Sequence, residues 1–249
     1  LFYRRAPHHS SSTEAGEYAQ TPDNTSILGA LKLTGKTRNG WSLGVMESMT
    51  AREQATIKDG SQTRHSTVEP LTNYFLGRAQ KDFKQGQTML GGIFTATNRK
   101  IEASHLNYLH DQAYTGGINF KHRWNDRNYM FSFRGIFSHV RGSQDAISRT
   151  QTSSARYFQR PDASHLKLDT TRTSLSGHGA SMMVAKFGKG HFRYGLFFNW
   201  KSPGLELNDM GYQREADQIA QLGWAQYRIW EPFSIFRNMH ININQWRLW

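Results

Sequence analysis

The chain has 249 residues and a formal net charge of +12, from 31 Lys and Arg against 19 Asp and Glu. It has no cysteine, which excludes disulfides, thiolate metal sites and cysteine nucleophiles. No run approaches the about 18 consecutive apolar residues of a membrane helix. The strands of a membrane β-barrel need only about 10 residues of alternating polarity, so this composition is compatible with one.

Strands of alternating polarity recur along the chain, most of them in pairs joined by a short turn. Alternation predicts that each strand has one apolar face and one polar face. The predicted strands are residues 1–5, 27–37, 41–51, 71–83, 87–97, 117–124, 129–142, 173–187, 191–201, 217–230 and a last strand that contains Met239 to Asn244.

Short turns and long loops alternate strictly between these strands. The short turns lie near residues 39, 85, 126, 189 and 231, and the loops are predicted at 6–26, 57–70, 98–116, 143–171 and 202–216. The first half of 143–171 is predicted to form a short helix. Outer-membrane barrels have this asymmetry, with short periplasmic turns and long outer loops, whereas β-sandwiches mix their loop lengths.

The clearest hairpin covers residues 117–142, which are two alternating runs around the polar turn 125–128. We predict that its apolar face meets lipid and that its basic face meets the interior of a barrel. The same alternation recurs in residues 191–201. The residues predicted to face lipid include Phe131, Phe133, Phe137, Phe192, Tyr194, Leu196, Phe198 and Trp200.

Aromatic residues flank the short turns, where a membrane interface would favour rings with one apolar and one wet end. The alternative is the ordinary preference of aromatic residues for strands. The predicted interface aromatics are Trp41, Phe83, Trp124, Tyr129, Phe187, Phe192, Trp230 and Phe233.

Basic residues occupy the polar positions of nearly every strand instead of clustering in one arm. This distribution favours a polar interior over a nucleic-acid footprint. Fixed positive charges in an interior attract anions and repel cations. The predicted interior basic residues are Lys32, Lys36, Arg78, Lys121, Arg123, Arg134, Arg193 and Lys201.

The predicted fold is therefore all-β: an antiparallel transmembrane β-barrel of the outer-membrane type that covers residues 1–249, with about 11 strands visible. If the short turns are periplasmic, the last strand runs outward, whereas both ends of a bacterial barrel normally lie in the periplasm. We therefore expect an incomplete barrel, located in the bacterial outer membrane.

Several sequence strings, among them ILGALKLTGKT, YFLGRAQKDF, LGGIFTATNR, AYTGGINFKHRWNDRNYMFS, SSARYFQRPDA and SPGLELNDMGY, carry a resemblance. Together they resemble the C-terminal barrel region of a family of Gram-negative outer-membrane proteins of unknown function. His8-His9 and the Ser-rich stretch after them depart from that pattern. The family commonly has a domain similar to carbohydrate-binding module family 9 ahead of the barrel. The resemblance implies that this domain and later strands lie outside residues 1–249, and it implies no catalytic residue.

No catalytic residue, metal site or cofactor is predicted. A hydrolase needs a nucleophile beside a base, and Ser174, Ser176, Ser181 and His178 could supply both. No acidic residue lies near them in the sequence, so a polar strand that faces the interior explains them better. The histidine pairs His8-His9 and His105 with His110 lack metal-site spacing and are predicted to be solvated loop residues.

The loops carry the better binding candidates, because loops on rigid scaffolds usually hold binding sites. Aromatic rings beside Arg and carboxylates suit the capture of sugars or peptides. We favour the alternative, which is that the loops pack on each other and cap the mouth of the barrel, with Arg160 paired to a loop carboxylate. The candidate ligand-binding residues are Tyr157, Phe158, Arg160, Asp162, Glu206, Asn208, Asp209 and Tyr212.

The predicted function is a non-enzymatic outer-membrane protein that binds or passes a solute at the cell surface, with glycans and anionic solutes as the ligand classes. One alternative is a structural subunit or client of a larger outer-membrane assembly. Another is a soluble basic all-β domain that binds nucleic acid. The predicted partners are membrane lipid, other outer-membrane proteins and the solute, and not nucleic acid.

Overall fold

The computed structural model describes residues 7–8 and 18–249. Strand segments dominate this part of the chain, with one α-helix and one short 3₁₀ turn. The elements are β1 (Tyr18–Gln20), β2 (Ile27–Lys36), β3 (Trp41–Thr50), β4 (Glu53–Asp59), β5 (Gln62–Glu69), β6 (Leu71–Phe83), β7 (Thr88–Lys100), the 3₁₀ turn Ser104–Leu106, β8 (His110–Trp124), β9 (Tyr129–Gly142), α1 (Gln144–Thr152), β10 (Ser174–Lys186), β11 (Phe192–Lys201), β12 (Gln218–Ile229) and β13 (Met239–Leu248).

Ten strands form one antiparallel sheet in the order β13-β12-β11-β10-β9-β8-β7-β6-β3-β2. The all-β class and the antiparallel pairing are confirmed. The sheet does not close into a barrel, because β2 and β13 do not pair with each other. Within the described residues each of these two strands pairs on one side only, which leaves two open edges.

A second sheet of three strands, in the order β1-β4-β5, was not predicted. The predicted loops at 6–26 and 57–70 were wrong where they overlap β1, β4 and β5. The β4–β5 hairpin turns at Gly60, which has a φ of +58°, and it buries Ala55, Ile57 and Val68 completely. These few apolar residues stand among polar ones, so the local pattern did not indicate a strand. The predicted strand at 1–5 lies outside the described residues.

Register divides the large sheet into two faces, because residues directly opposite each other on neighbouring strands point to the same side. Phe131 pairs with His122 on one side and with Val184 on the other. Following these pairs from strand to strand places the predicted lipid-facing residues on one face, which we call the apolar face. Its exposed side chains include Leu33, Phe137, Leu196 and Ile243.

The opposite face, which we call the basic face, carries all eight predicted interior basic residues. Arg134, for example, pairs with Asn119 and Ser181, and Lys201 pairs with Gly179 and Gln218. The alternation of polarity within each strand therefore continues as two chemically distinct faces across the sheet, except at the loop end of β12 and β13, where Leu222, Trp246 and Leu248 lie on the basic face.

The two ends of the large sheet also differ. Five short connections lie at one end, the turn end, where the Phe187 amide donates to the Asn128 carbonyl and the Arg123 amide donates to the Gln87 carbonyl. Two of these turns have consecutive residues with positive φ, namely 84–86 and 125–127. The connections at the other end, the loop end, are longer than the first four short connections, as predicted, and the shortest of them, residues 101–109, has the same length as the β12–β13 connection. The β12–β13 connection spans residues 230–238, which is longer than the predicted turn at Glu231-Pro232.

The predicted helix is confirmed as α1, which begins after Ser143. The Ser143 hydroxyl accepts a hydrogen bond from the Ala146 amide and caps the helix N-terminus. A small apolar core joins α1 to the loop end of the sheet and contains Ala113, Val140, Ile147, Phe158 and Leu175. No helix in the described ranges combines the length and the apolar character needed to cross a membrane.

The predicted interface aromatics all lie at the turn end, but they do not share one face. Five of them lie on the apolar face. On this face the Lys81 ammonium nitrogen lies within 6 Å of the Trp41 and Phe83 ring centroids. Phe187 and Trp230 instead contact side chains of the basic face: Phe187 contacts Trp224, and Trp230 lies under Arg193 and Arg228. Phe233 lies in the turn and contacts Phe236. The five on the apolar face are Trp41, Phe83, Trp124, Tyr129 and Phe192.

Candidate functional site

The basic face encloses a cavity of about 850 Å³, which we call the central cavity. Its walls come from strands β6 to β11 and from the loop at 202–217. A volume of several hundred Å³ is the usual size for a small-molecule site. The basic-face side chains in its wall include Arg78, Asn119, Lys121, Arg134, Ser181, Asn199 and Lys201.

The central cavity is positively charged, because four of the eight predicted interior basic residues line it. Within the described part of the chain, none of these four is in an ion pair, whereas Lys36 lies 3.7 Å from the Asp82 carboxylate. Arg78 donates only to the neutral amide of Gln80, at 3.1 Å. The four residues are Arg78, Lys121, Arg134 and Lys201.

The loop at 202–217 packs onto the basic face at Gly177 on β10. A Cβ atom at Gly177 would lie 2.0 Å from the Leu205 amide nitrogen, so only glycine allows this approach. The neighbouring strand adds a hydrogen bond, since the Glu206 amide donates to the Ser138 hydroxyl at 2.9 Å. The loop is therefore fitted to the sheet by its backbone and closes one side of the central cavity.

A buried ion pair joins the same loop to the segment that follows α1. Arg156 Nη2 lies 2.8 Å from Glu206 Oε2, and both side chains are almost fully buried. Burial lowers the pKa of Arg156, and the Glu206 charge partly offsets that effect. Arg156 also donates to the Leu205 carbonyl, so one side chain ties down two successive loop residues.

A second buried cluster is centred on Asp209. Its Oδ1 atom accepts from Arg99 Nη1 at 2.5 Å, and its Oδ2 atom lies 2.9 Å from His110 Nδ1. His110 Nε2 lies 2.7 Å from the Thr150 hydroxyl on α1. The Asp209 carboxylate, the His110 imidazole and the Thr150 hydroxyl thus form a chain of hydrogen bonds. The Thr150 hydroxyl also donates to the Ala146 carbonyl within the helix. The cluster links β7, β8, α1 and the loop at 202–217.

Asp209 is expected to make stability depend on acid. Burial by itself raises the pKa of the Asp209 carboxyl, but the hydrogen bond from His110 and the charge of Arg99 outweigh it and hold that pKa well below its usual value. A carboxyl with a lowered pKa in the folded state stabilises the fold above its ordinary pKa and loses that contribution as the pH falls. At pH 7, Asp209→Asn is therefore expected to unfold at lower temperature than the wild type.

The gap in unfolding temperature between Asp209→Asn and the wild type should shrink as the pH falls below about 4. Thermal unfolding in detergent, followed by circular dichroism between pH 7 and pH 3, measures this. The matched control is Asp162→Asn, because the Asp162 side chain is 84% exposed and lies 4.0 Å from Arg160. A gap that stays constant with pH would contradict the prediction.

A second cavity, of about 560 Å³, lies at the loop end and we call it the loop-end cavity. Four arginines and two carboxylates line it, which leaves an excess of positive charge. Gln213 and Arg214 line both cavities, so this part of the loop at 202–217 forms the wall between them. The charged residues of the loop-end cavity are Arg99, Arg149, Arg156, Arg214, Glu206 and Asp209.

The structure distributes the candidate ligand-binding residues over several roles. Phe158 belongs to the apolar core, and Glu206 and Asp209 are held in the buried contacts described above. Arg160 pairs with Asp217, a loop carboxylate. The side chain of Asn208 accepts from the Gln213 amide at 2.7 Å.

Three of the candidates are exposed. Tyr157, which has a φ of +50°, and Tyr212 are about half and three-quarters exposed, and Asp162 is exposed as well. Of the candidates, Glu206, Asn208, Asp209 and Tyr212 line the central cavity or the loop-end cavity described above. Sequence reasoning missed Arg99, His110 and Arg156, since each comes from a distant part of the chain.

Two predictions about polar residues, one of a Ser/His group on β10 and one of a loop histidine, were wrong. Ser174, Ser176 and His178 lie on the apolar face and not toward the interior, since they pair with Arg141, His139 and Phe137. His110 is no solvated loop residue, because Asp209 and Thr150 hold both of its ring nitrogens. Within residues 7–8 and 18–249, no group of three or more His, Asp and Glu side chains could hold a metal ion.

Fold and cavities together define an all-β protein with an open antiparallel sheet, one apolar face and one basic face. One protein family has a model that matches residues 1–247, and that family is described as a domain of unknown function, DUF5916. The chain therefore belongs to the DUF5916 family. Comparison with curated proteins and with solved structures found no match.

Proposed function

We propose that this protein is a non-enzymatic component of the bacterial outer membrane whose apolar face lies against lipid and whose central cavity binds or passes an anionic solute. The observation that carries the proposal is the division of the ten-stranded sheet into two faces. A sheet in water normally exposes its polar face and buries its apolar face. Here most of the large exposed hydrophobic side chains of the sheet lie on the face that points away from the cavity, although a few, such as Leu222 and Trp246, lie on the other face.

The large extent of the apolar face supports the proposal that it contacts lipid. Exposed hydrophobic residues occur on it from β2 at one edge to β13 at the other, for example Leu33, Ile118 and Ile243. A water-soluble monomer rarely exposes an apolar patch of more than a few hundred Å². At the turn end, Lys81 lies over the Trp41 and Phe83 rings, a combination typical of a membrane interface.

The central cavity supports an anionic solute because its four unpaired basic residues attract negative charge. Asn119, Ser181 and Asn199 add neutral hydrogen-bonding groups to the same wall. The proposed solute is therefore an anion that also carries hydrogen-bonding groups, for which a glycan is one candidate.

The membrane part of the proposal is tested by expression in a Gram-negative host and separation of the envelope. The protein should fractionate with the outer membrane and require detergent for its release. Quenching of tryptophan fluorescence by brominated lipid should be strong for Trp41 and Trp124, which lie on the apolar face. Release into buffer without detergent would contradict the proposal.

The solute part predicts anion-selective conductance in planar bilayers. Lys121→Gln combined with Arg134→Gln removes two unpaired charges from the central cavity and should lower the ratio of anion to cation permeability. Arg172→Gln removes one exposed charge outside the cavity, where Arg172 pairs with Asp169 at 3.3 Å, and should leave the ratio unchanged. Cation-selective currents in the wild type would refute the role proposed for the cavity.

A second candidate function is a structural subunit or client of a larger outer-membrane assembly. It is favoured by the open edges, because β2 and β13, each ten residues long, pair on one side only within the described residues. Exposed strand edges readily pair with another strand. Cross-linking from cysteines introduced on β2 and β13 in intact cells should capture a protein partner if this function is correct. Flat bilayer recordings together with such a cross-link would favour it over solute passage.

A further inference from the structure

The loop-end cavity holds polar groups that the rest of the protein does not satisfy. Within the described part of the chain, Arg99 Nε, Arg156 Nε and Gln213 Oε1 are buried and have no hydrogen-bond partner. All three residues are at least nine-tenths buried and line this cavity. Buried polar atoms in folded proteins are nearly always paired with protein, water or ligand. The three atoms are inaccessible as the side chains stand, so a ligand in the cavity can satisfy one of them only where that side chain turns toward it.

The charge balance of the cavity selects the sign of that ligand. Arg99 and Arg156 are neutralised by Asp209 and Glu206, which leaves Arg149 and Arg214 as the source of the excess charge. Among the described residues, Arg149 forms an ion pair only with the exposed Asp145 at the helix surface, and it lies over the Tyr108 ring. Within the described residues Arg214 has no ion pair and lies near the Tyr212 ring. Two guanidinium groups without a buried counter-charge favour an oxyanion, which arginine can bind through paired hydrogen bonds.

The neutral groups in the wall select the rest of the ligand. Ser153, Ser154 and Asn208 line the cavity beside the unpartnered acceptor of Gln213. Hydroxyl and amide groups of this kind exchange hydrogen bonds with hydroxyls, which both donate and accept. The volume of about 560 Å³ accommodates a molecule the size of one or two sugar rings.

We propose that the loop-end cavity is a binding site, separate from the central cavity, for a small hydroxyl-rich molecule that carries a carboxylate or phosphate group. Arg149 and Arg214 bind the oxyanion, and Ser153, Ser154 and Asn208 exchange hydrogen bonds with the hydroxyls. The site deepens the proposed function, on which it rests, by naming the chemistry of the solute. Because Gln213 and Arg214 also line the central cavity, a ligand bound here lies directly beside the proposed path of the solute.

Isothermal titration of the purified full chain in detergent tests this site, with glucuronate and glucose 6-phosphate as probes and glucose as the neutral comparison. One of the two anions should bind, and glucose should bind at least about tenfold more weakly, as the loss of a charge-assisted hydrogen bond implies. The preferred anion identifies the oxyanion. Equal binding of glucose and both anions, or no binding at all, would overturn the site.

Variants then locate the binding. Arg149→Gln should weaken the anion about tenfold, and its side chain is 63% exposed, so little of the fold depends on it. Arg214→Gln is a second variant with the same expected loss. Arg172→Gln removes an exposed charge at the loop end outside both cavities and should bind like the wild type.

The double variant Lys121→Gln/Arg134→Gln separates this inference from the proposed function. It changes the central cavity alone, so it should retain the anion affinity of the loop-end cavity. If that variant loses the anion while Arg149→Gln and Arg214→Gln retain it, the binding site is the central cavity: the inference fails and the proposed function stands. If the wild type shows no anion-selective conductance but binds the anion as expected in the titration, the proposed function is refuted and the loop-end site stands.

Discussion

Arg156→Met is expected to destabilise the protein by about 3 to 5 kcal/mol, which is the usual result of removing one partner from a buried ion pair. The variant leaves the Glu206 carboxylate buried without its counter-charge. The Glu206 carboxylate would keep only its hydrogen bond from the Asn208 amide, at 2.7 Å. Chemical unfolding in detergent, followed by circular dichroism, measures the change.

The double variant Arg156→Met/Glu206→Leu should recover most of this loss, because exchanging a whole buried ion pair for apolar side chains is often close to neutral. The control is Arg52→Met, which removes an exposed partner of Glu102 at 2.9 Å and should change stability far less, as exposed pairs usually contribute little. If Arg156→Met and Arg52→Met destabilise the protein equally, the Arg156–Glu206 pair does not anchor the loop.

Gly177→Val is expected to detach the loop at 202–217 from the sheet. Its Cβ would lie 2.0 Å from the Leu205 amide nitrogen and 2.2 Å from the Gly204 carbonyl carbon. Both are backbone atoms that cannot rotate away, so the loop must move. Overpacking usually costs about 1 to 3 kcal/mol, and the displaced loop would also lose the buried contacts of Glu206 and Asp209.

Limited digestion with trypsin detects the detached loop, because Arg214 lies within it and cleavage requires local opening. The variant should be cut at Arg214 much faster than the wild type. Gly116→Val is the matched control, since a Cβ at Gly116 on the apolar face meets nothing within 4 Å. Equal rates of cleavage in the two variants would show that Gly177 is not the docking point.

The two variants act on the same loop by different physical means. Arg156→Met removes a charge that the buried Glu206 requires, whereas Gly177→Val removes the space that the loop backbone occupies. If the loop forms the wall between the two cavities, both variants should change conductance through the central cavity in the same direction. A change in stability without any change in conductance would mean that the loop does not border the proposed path of the solute.

Sequence reasoning predicted the regular parts of the sheet closely. The strand predicted at 71–83 is β6, Leu71–Phe83, and the strand predicted at 217–230 is β12, Gln218–Ile229. The faces of the hairpin at 117–142 were also readable, because alternation is a property of neighbouring residues. In a strand, the side of the sheet to which a residue points is decided by its position within a few residues.

The same reasoning failed where polarity was a poor guide to burial. The β4–β5 hairpin was predicted as a loop because only a few of its residues are apolar. Ser176 and His178 were assigned to the interior because they are polar, although register places them on the apolar face. Both errors come from inferring a residue's location from its polarity. Pairing with the neighbouring strand decides on which face of the sheet a residue lies.

The ten strands of the large sheet, four of its short turns and the basic character of one face could be read from the amino-acid sequence alone, because each depends on a pattern within about ten residues. Only the tertiary structure decided that Glu206 and Asp209 are internal anchors and that the loop holding them separates two cavities. Their partners Arg156 and Arg99 lie 50 and 110 residues away in the chain. Burial of a charge depends on which distant segments of the chain come into contact, and the polarity of neighbouring residues does not indicate those contacts.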